Sequence, residues 1–455
     1  MMEYSALLHG ATGNPKTQDE TNIMILAKEI HVLILSKLDG LSLARVQKVC
    51  RLWYDIVDDF EKYFHVWLRC CLTEISTYDL AEITGLLEID ESEDLVVTAD
   101  NLKKLPTIFW REVYAEYHRN DFIKNKTKKV NKIQYPKCYG MVTAIKLKDN
   151  ILISGHEDGR VISWEDIDVC IRNKTCHQHQ RMVTDLAVTR AGLTVNHLLL
   201  GINNMFVIST SKDSSLILND MTTGQSTKIS YFSKQVNSVS CSGLTFVSAA
   251  NCSFLQGHPV WDIDYCRELK AKLRCRQDLA GQDSTNILAV ALHRNKVLAS
   301  DDIGNLFLYK GSSEQNRNSE HRDQPVLLSM FGAAVKTILF RDDKVVCLTD
   351  DGMLGISLNL KDFIQHNVYE AVNVIPECIA WRVNILAIGA KSGKVFLYLV
   401  KEDTDLLDLN LSEPVAVYDT DSEHVNAITI GDDGNGPVLA IATDHNFITL
   451  VRWRR

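Results

Sequence analysis

No run of about eighteen apolar residues occurs in the chain, so a conventional membrane-spanning helix is not expected. An excess of positive charge is also missing. The formal net charge of −9 argues against a general nucleic-acid or anionic-membrane binder, although a local basic patch stays open. The first residues, Met1 to Lys16, have neither clustered positive charge nor a long apolar stretch, and no secretory signal is expected from them. The 12 cysteines follow no framework of spacings, which with no export signal fits reduced, partly buried thiols in the cytoplasm and/or nucleus. Only 8 prolines interrupt a composition that is 45% hydrophobic and 24% charged, typical of a soluble globular protein. At 455 residues, about two to four domains are expected.

Three zones follow a flexible stretch assigned to residues 1–21. Residues 22–67 carry apolar side chains three and four apart, among them Ile30, Leu33, Ile34, Leu38, Leu43, Val46, Trp53 and Ile56, as a small helical bundle requires. Asp39-Gly40 breaks the pattern, and Ser42 is placed to cap the next helix. So small a bundle lies near the lower size limit for folding alone and gains from docking on something else. Residues 68–124 read as a helical connector, with Trp110, Val113, Tyr114 and Tyr117 on one face and a solvated acidic stretch from Glu88 to Asp94. Residues 125–455 read almost wholly as short strands.

That last zone repeats. A strand opens on a valine, a second apolar strand ends in small residues, a tight turn follows, and a third strand alternates. The first copy runs Val142-Thr-Ala-Ile-Lys-Leu147, Ile151-Leu-Ile-Ser-Gly155, Glu157-Asp-Gly159 and Val161-Ile-Ser-Trp164. The cadence restarts at Val183, Val236, Ile287, Val335, Cys378 and Val425, roughly one four-stranded propeller blade apart each time. Such blades are apolar on both faces and must cover one another in a ring. The last copy stops after its third strand, and the alternating segment around residues 128–136 is expected to supply the missing outer strand.

The leading segment, with Leu26-Ala-Lys-Glu-Ile30, Ile34-Leu35, Leu38, Leu43, Arg45-Val46, Val49-Cys50, Trp53 and Ile56, resembles the F-box consensus, with Ala27 where a proline is usual. The repeats resemble degenerate WD40 repeats. The first keeps Ser154, Asp158 and Trp164, and the second keeps His179, Ser209 and Asp213 with Asn219 at the tryptophan position. A Trp261-Asp262 pair marks the third, while the fifth and sixth have lost most of the set and are expected to be less ordered. Order and coverage together are similar to the F-box/WD-repeat family. The fold this implies is an α plus all-β multidomain chain: F-box bundle, helical connector, and a C-terminal seven-bladed WD40-type β-propeller.

What the resemblance implies is a non-catalytic, cofactor-free substrate-recognition subunit of an SCF-type cullin-RING ubiquitin ligase. The F-box would dock a Skp-type adaptor, and through it a cullin-RING scaffold, by Leu26, Ile30, Ile34, Leu35, Leu38, Leu43, Val46, Val49 and Trp53. For any one of these, a place in the bundle's own core reads the same way. The propeller would hold a target protein, by proximity rather than by reactive side chains. Relatives that read phosphorylated targets use arginines beside the tight turn and after the leading valine. Here those places hold Lys212, Lys391 and Lys336, with Glu157 and Asp302 in other turns and Thr143, Thr184, Asn237 and Asn426 after other valines. Lysine lacks the bidentate fork of arginine, so a phosphate pocket of that design is disfavoured against solvated rim lysines. Cys170, Cys176, His177 and His179 match no closed zinc spacing. Neither nucleic acid nor membrane is an expected partner. The competing reading is a binding scaffold of the same fold that does not promote ubiquitin transfer.

Overall fold

The computed structural model describes residues 26–84, 105–125, 128–148, 150–165, 167, 172–191, 204–230, 234–242, 245–250, 258–262, 277–279, 286–294, 296–310 and 325–454. The stretches 1–21 and 88–94, Cys170 and the side chains of Trp261 and Asp262 lie outside the described residues. Two compact units divide the chain, Met1–Cys70 and Cys71–Arg455.

The first unit is helical: α1 (Lys28–Leu35), α2 (Gly40–Val46) and α3 (Arg51–Phe64), with the division falling inside α4 (Val66–Glu74). Ala27 stands at the N-cap of α1 with φ −61°, the angle a proline ring would impose, so its lack of a ring costs little geometry. The cap of α2 is Asp39, not Ser42: the Asp39 carboxylate accepts from the Ser42 N–H at 2.6 Å. The aspartate wins because the chain is already extended there, which aims its side chain at the first free N–H groups. Leu35, Leu43, Ile56, Val57 and Phe60 fill the core.

The second unit is a β-propeller preceded by helices. Among the described residues its strands form seven four-stranded antiparallel sheets, six from consecutive strands and one composite. The composite sheet pairs Lys128–Gln134 with Phe447–Trp453, so both ends of the ring are stitched in one ladder. Innermost strands begin at Val142, Val183, Val236, Ile287, Val335, Pro376 and Val425, and each contacts its two neighbours around the circle. Among the described residues seven separate apolar clusters hold the ring, one at each junction between adjacent sheets. The second and third strands of most sheets are buried almost throughout, which is why they read as continuous apolar runs.

Every innermost strand carries a β-bulge just after its first residue. A bulge re-aims side chains, and here several of them tie one sheet to the next. Thr143 Oγ1 donates to the Val183 carbonyl at 2.7 Å, and Asn237 Nδ2 to that of Ile287 at 2.7 Å. Thr184 donates to the Val236 carbonyl, and Asn426 Nδ2 returns to that of Val142 at 3.4 Å. The tight turns also repeat: Gly159, Gly304, Gly352 and Gly393 have positive φ and donate their N–H three residues back. Gly393 is the tightest, for an added Cβ would lie 1.8 Å from the Ser422 carbonyl oxygen.

Polar sets lock the first two sheets. Ser154 Oγ accepts from Trp164 Nε1 at 2.8 Å and meets His156 Nε2 at 2.9 Å. In the second sheet His179 lies 2.7 Å from Ser209 Oγ and 2.9 Å from Ser215 Oγ, which donates to Asp213 at 2.5 Å. Burial pushes His179 down to about 4. Burial opposes ionisation of Asp213, but the Ser215 hydroxyl and the Gln180 N–H outweigh it and bring the carboxyl to about 2. The fifth and sixth sheets, expected to be less ordered, are completely paired. Their shared core of Val346, Leu348, Ile356, Leu386, Ile388 and Phe396 replaces the lost polar set.

Candidate docking surfaces

On the helical unit, the nine residues assigned to adaptor contact split by burial. Leu35 and Leu43 are 1% and 0% exposed and belong to the bundle's interior. Leu38, Val46 and Trp53 are half-buried. Trp53 Nε1 donates to His31 Nδ1 at 3.0 Å, so part of that indole serves the fold. Leu26, Ile30, Ile34 and Val49 are exposed, at 40%, 44%, 39% and 64%. The sequence reading missed Leu33, Tyr54, Tyr63 and Phe64, which are exposed as well. Ile30, Leu33 and Ile34 lie three and four apart on α1, so they share one outward face while His31 and Leu35 point inward. An apolar strip of this kind on a small bundle is a candidate interaction surface.

The propeller has two ends. At the end where first and second strands connect, the helices α5 (Thr77–Thr84) and α6 (Thr107–Arg119) and the 3₁₀ turn Asn120–Lys124 are docked. Trp110, Val113, Tyr114 and Tyr117 are buried on one face of α6. Charged and polar contacts fix the helices across three sheets, and a ring contact adds a fourth. Glu82 pairs with Arg341 and Glu116 with Arg382. Arg119 reaches Asp432 at 3.1 Å, Asn120 reaches Asn384 at 2.8 Å, and Lys401 reaches Asp121 at 2.8 Å. The Arg341 guanidinium also lies 4.3 Å from the Trp381 ring centroid and 5.0 Å from that of Tyr78, while Tyr78 stacks 5.4 Å from His293. Burial and nearby acids raise Tyr117 to about 12, so it remains a neutral donor.

The opposite end carries the tight turns and the bulged residues. Lys336 and Lys391, far apart in the chain, come together there: both reach Glu377, at 3.2 and 3.5 Å, and Lys336 also reaches Asp350 at 3.2 Å. Lys212 stands apart on the second sheet's turn, exposed. Two carboxylates against the less exposed lysine leave little net field for a phosphate. Thr143, Thr184, Asn237 and Asn426 are inter-sheet ties. His177 and His179 both bond Ser209 Oγ, at 2.6 and 2.7 Å, and Cys176 Sγ lies 3.6 Å from the Met221 sulfur. Among the described residues no helix is long and apolar enough to cross a membrane.

Residues 28–69 match the F-box-like family. No curated protein matches the chain. Among solved structures, the chain is similar to the crystal structure of the computationally designed Ika8 protein, at 17% identity and a TM-score of 0.48, over 70% of this chain and 97% of that one.

Proposed function

We propose that the chain is the substrate-recognition adaptor of an SCF-type cullin-RING ubiquitin ligase, acting in the cytoplasm and/or nucleus without chemistry of its own. The F-box-like segment at residues 28–69, with an uncovered apolar strip on α1, is the observation that carries this reading. Leu26, Ile30, Ile34 and Val49, flanked by the half-buried Leu38, Val46 and Trp53, grip a Skp-type adaptor that in turn joins the cullin. Burying four such side chains contributes on the order of several kcal/mol, which their half-buried neighbours must supplement to reach a micromolar contact after association costs. Leu35 and Leu43 support this surface from within.

The propeller holds the target protein at its turn end. The docking of α5 and α6 on the other end supports that assignment, since it leaves the turns uncovered among the described residues and fixes the connector helices to the ring. Ubiquitin transfer is then promoted by holding a lysine of the target near the charged conjugating enzyme, which is an effective-concentration effect. Lys212, Lys336 and Lys391 remain candidates for target contact, with the acids beside Lys336 and Lys391 setting what they can hold. Co-purification decides between this reading and a binding scaffold. Adaptor and cullin should both accompany the chain, and a bound target should accumulate when the chain is depleted. Recovery of propeller partners with neither adaptor nor cullin contradicts the proposal.

A further inference from the structure

The turn end is not uniform. Over the fourth to sixth sheets it displays four large apolar side chains, Ile303, Met330, Tyr369 and Ile375, exposed by 60%, 69%, 52% and 45%. Backbone bonds hold all four beside the tight turns. Phe331 N–H donates to the Gly304 carbonyl at 2.9 Å, Val368 N–H to that of Gly352 at 3.3 Å, and Lys391 N–H to that of Ile375 at 2.9 Å. Met330 therefore lies beside the turn of Ile303, while Tyr369 lies in, and Ile375 just after, the short helix Val368–Val372 that bridges the fifth and sixth sheets. Isolated exposed apolar residues are ordinary, but a group gathered on one functional end is not.

Charge on the same end is one-sided. Asp302, Asp350, Asp351, Glu370, Asp421 and Glu423 are exposed over the fourth to seventh sheets, against exposed Lys391 and Lys394, while exposed Arg181, Lys212 and Lys234 lie away over the second and third sheets. Lys336 is enclosed by Asp350 and Glu377 at 3.2 Å each and adds little outward field. A phosphorylated or acidic segment would be repelled, whereas a cation beside an apolar anchor would be drawn in and held.

We infer that this surface binds an unphosphorylated segment of a partner protein in which large apolar side chains alternate with lysine or arginine. The inference rests on the propeller's being the target-binding module. Apolar anchors supply the affinity, and the surrounding carboxylates supply orientation and partner choice.

The test is a synthetic array of twelve-residue peptides, with phosphoserine among its building blocks, probed with the full chain. The expected selection is of peptides combining Trp, Leu or Phe with Lys or Arg. Their binding should weaken about tenfold for Asp302→Lys combined with Glu370→Lys, and similarly for Met330→Ser combined with Ile375→Ser. Both variants alter exposed side chains, and an unchanged melting temperature shows that they fold. Selection of acidic or phosphorylated peptides, binding indifferent to both variants, or no selection at all overturns the inference. Adaptor capture is read on the same samples. Its failure beside a positive array removes the ligase reading but not this surface, and the reverse result removes this surface alone.

Discussion

Replacing Glu82 by alanine should loosen α5 from the propeller without melting the ring. Arg341 is 5% exposed, and its guanidinium donates to the Val383 carbonyl at 2.8 Å and the Trp381 carbonyl at 3.0 Å besides pairing with Glu82. The same carboxylate accepts the Val383 N–H at 2.7 Å. Removing one partner of a buried pair costs about 3–5 kcal/mol, and an orphaned N–H about 1–3 kcal/mol. Two features reduce that sum. The Glu82 side chain is 22% exposed, so water can enter, and Asp79 is close enough to Arg341 to feel its charge. Burial holds the Asp79 carboxyl above its usual range while Arg341 draws it back, so it can partly replace the lost anion. A loss of about 2–3 kcal/mol remains.

Because α5 packs on the rim, the loss should appear as local opening. Amide exchange across residues 77–84 is expected to accelerate about thirty- to hundredfold, with strands of the first and second sheets unaffected. A cycle with Arg341→Met isolates the pair: the double variant should be less damaged than the two single changes added together. Unchanged exchange over 77–84 in Glu82→Ala, or strict additivity in the cycle, refutes the claim that this ion pair fastens the connector.

Stability should fall in mild acid. Burial lowers His156 and His179 to about 4, below the unfolded value near 6.5, so the unfolded chain takes up protons first as pH drops. The contribution is complete above pH 6.5 and is lost towards pH 4, at up to about 1.4 kcal/mol per pH unit for each ring, and a urea midpoint equal at pH 7 and pH 5 would count against it. Gly393→Ala forces a Cβ to 1.8 Å from the Ser422 carbonyl oxygen and should cost about 2–4 kcal/mol, whereas at Gly434, where φ is +83° and nothing lies within 4 Å, the cost should be about 1 kcal/mol. Equal melting-temperature losses for the two variants would deny the close approach.

What the sequence made legible was whatever depends on near neighbours in the chain. The three-and-four spacing of Ile30, Ile34 and Leu38 announces helices, and the valine, turn and apolar-strand cadence announces the propeller. The face each helical residue takes was not legible: Leu35 and Ile34 are adjacent and equally apolar, yet one is core and the other surface. Long-range charge pairing was hidden for a similar reason. Glu82 with Arg341, Glu116 with Arg382 and Arg119 with Asp432 are separated by 259, 266 and 313 residues, so only the closed ring brings them together. Lys336 reads in the sequence as a solvated rim lysine at a place where relatives bind phosphate, and only the closed ring puts Glu377 and Asp350 against it. The residues after the leading valines carried a usable signal. Thr143, Thr184, Asn237 and Asn426 are small hydrogen-bonding side chains, suited to tying one sheet to the next.

The measurement closest to the centre of this account is the affinity of a purified Skp-type adaptor for the full chain and for the variant Ile30→Ser, Ile34→Ser, Val49→Ser. These side chains are 44%, 39% and 64% exposed, so the helical unit should keep its fold. Binding to the wild-type chain is expected, with a loss of about a hundredfold or more in the variant. Equal affinity for both chains, or no binding to either, contradicts the claim that this apolar surface of the helical unit joins the propeller's cargo to a ubiquitin ligase.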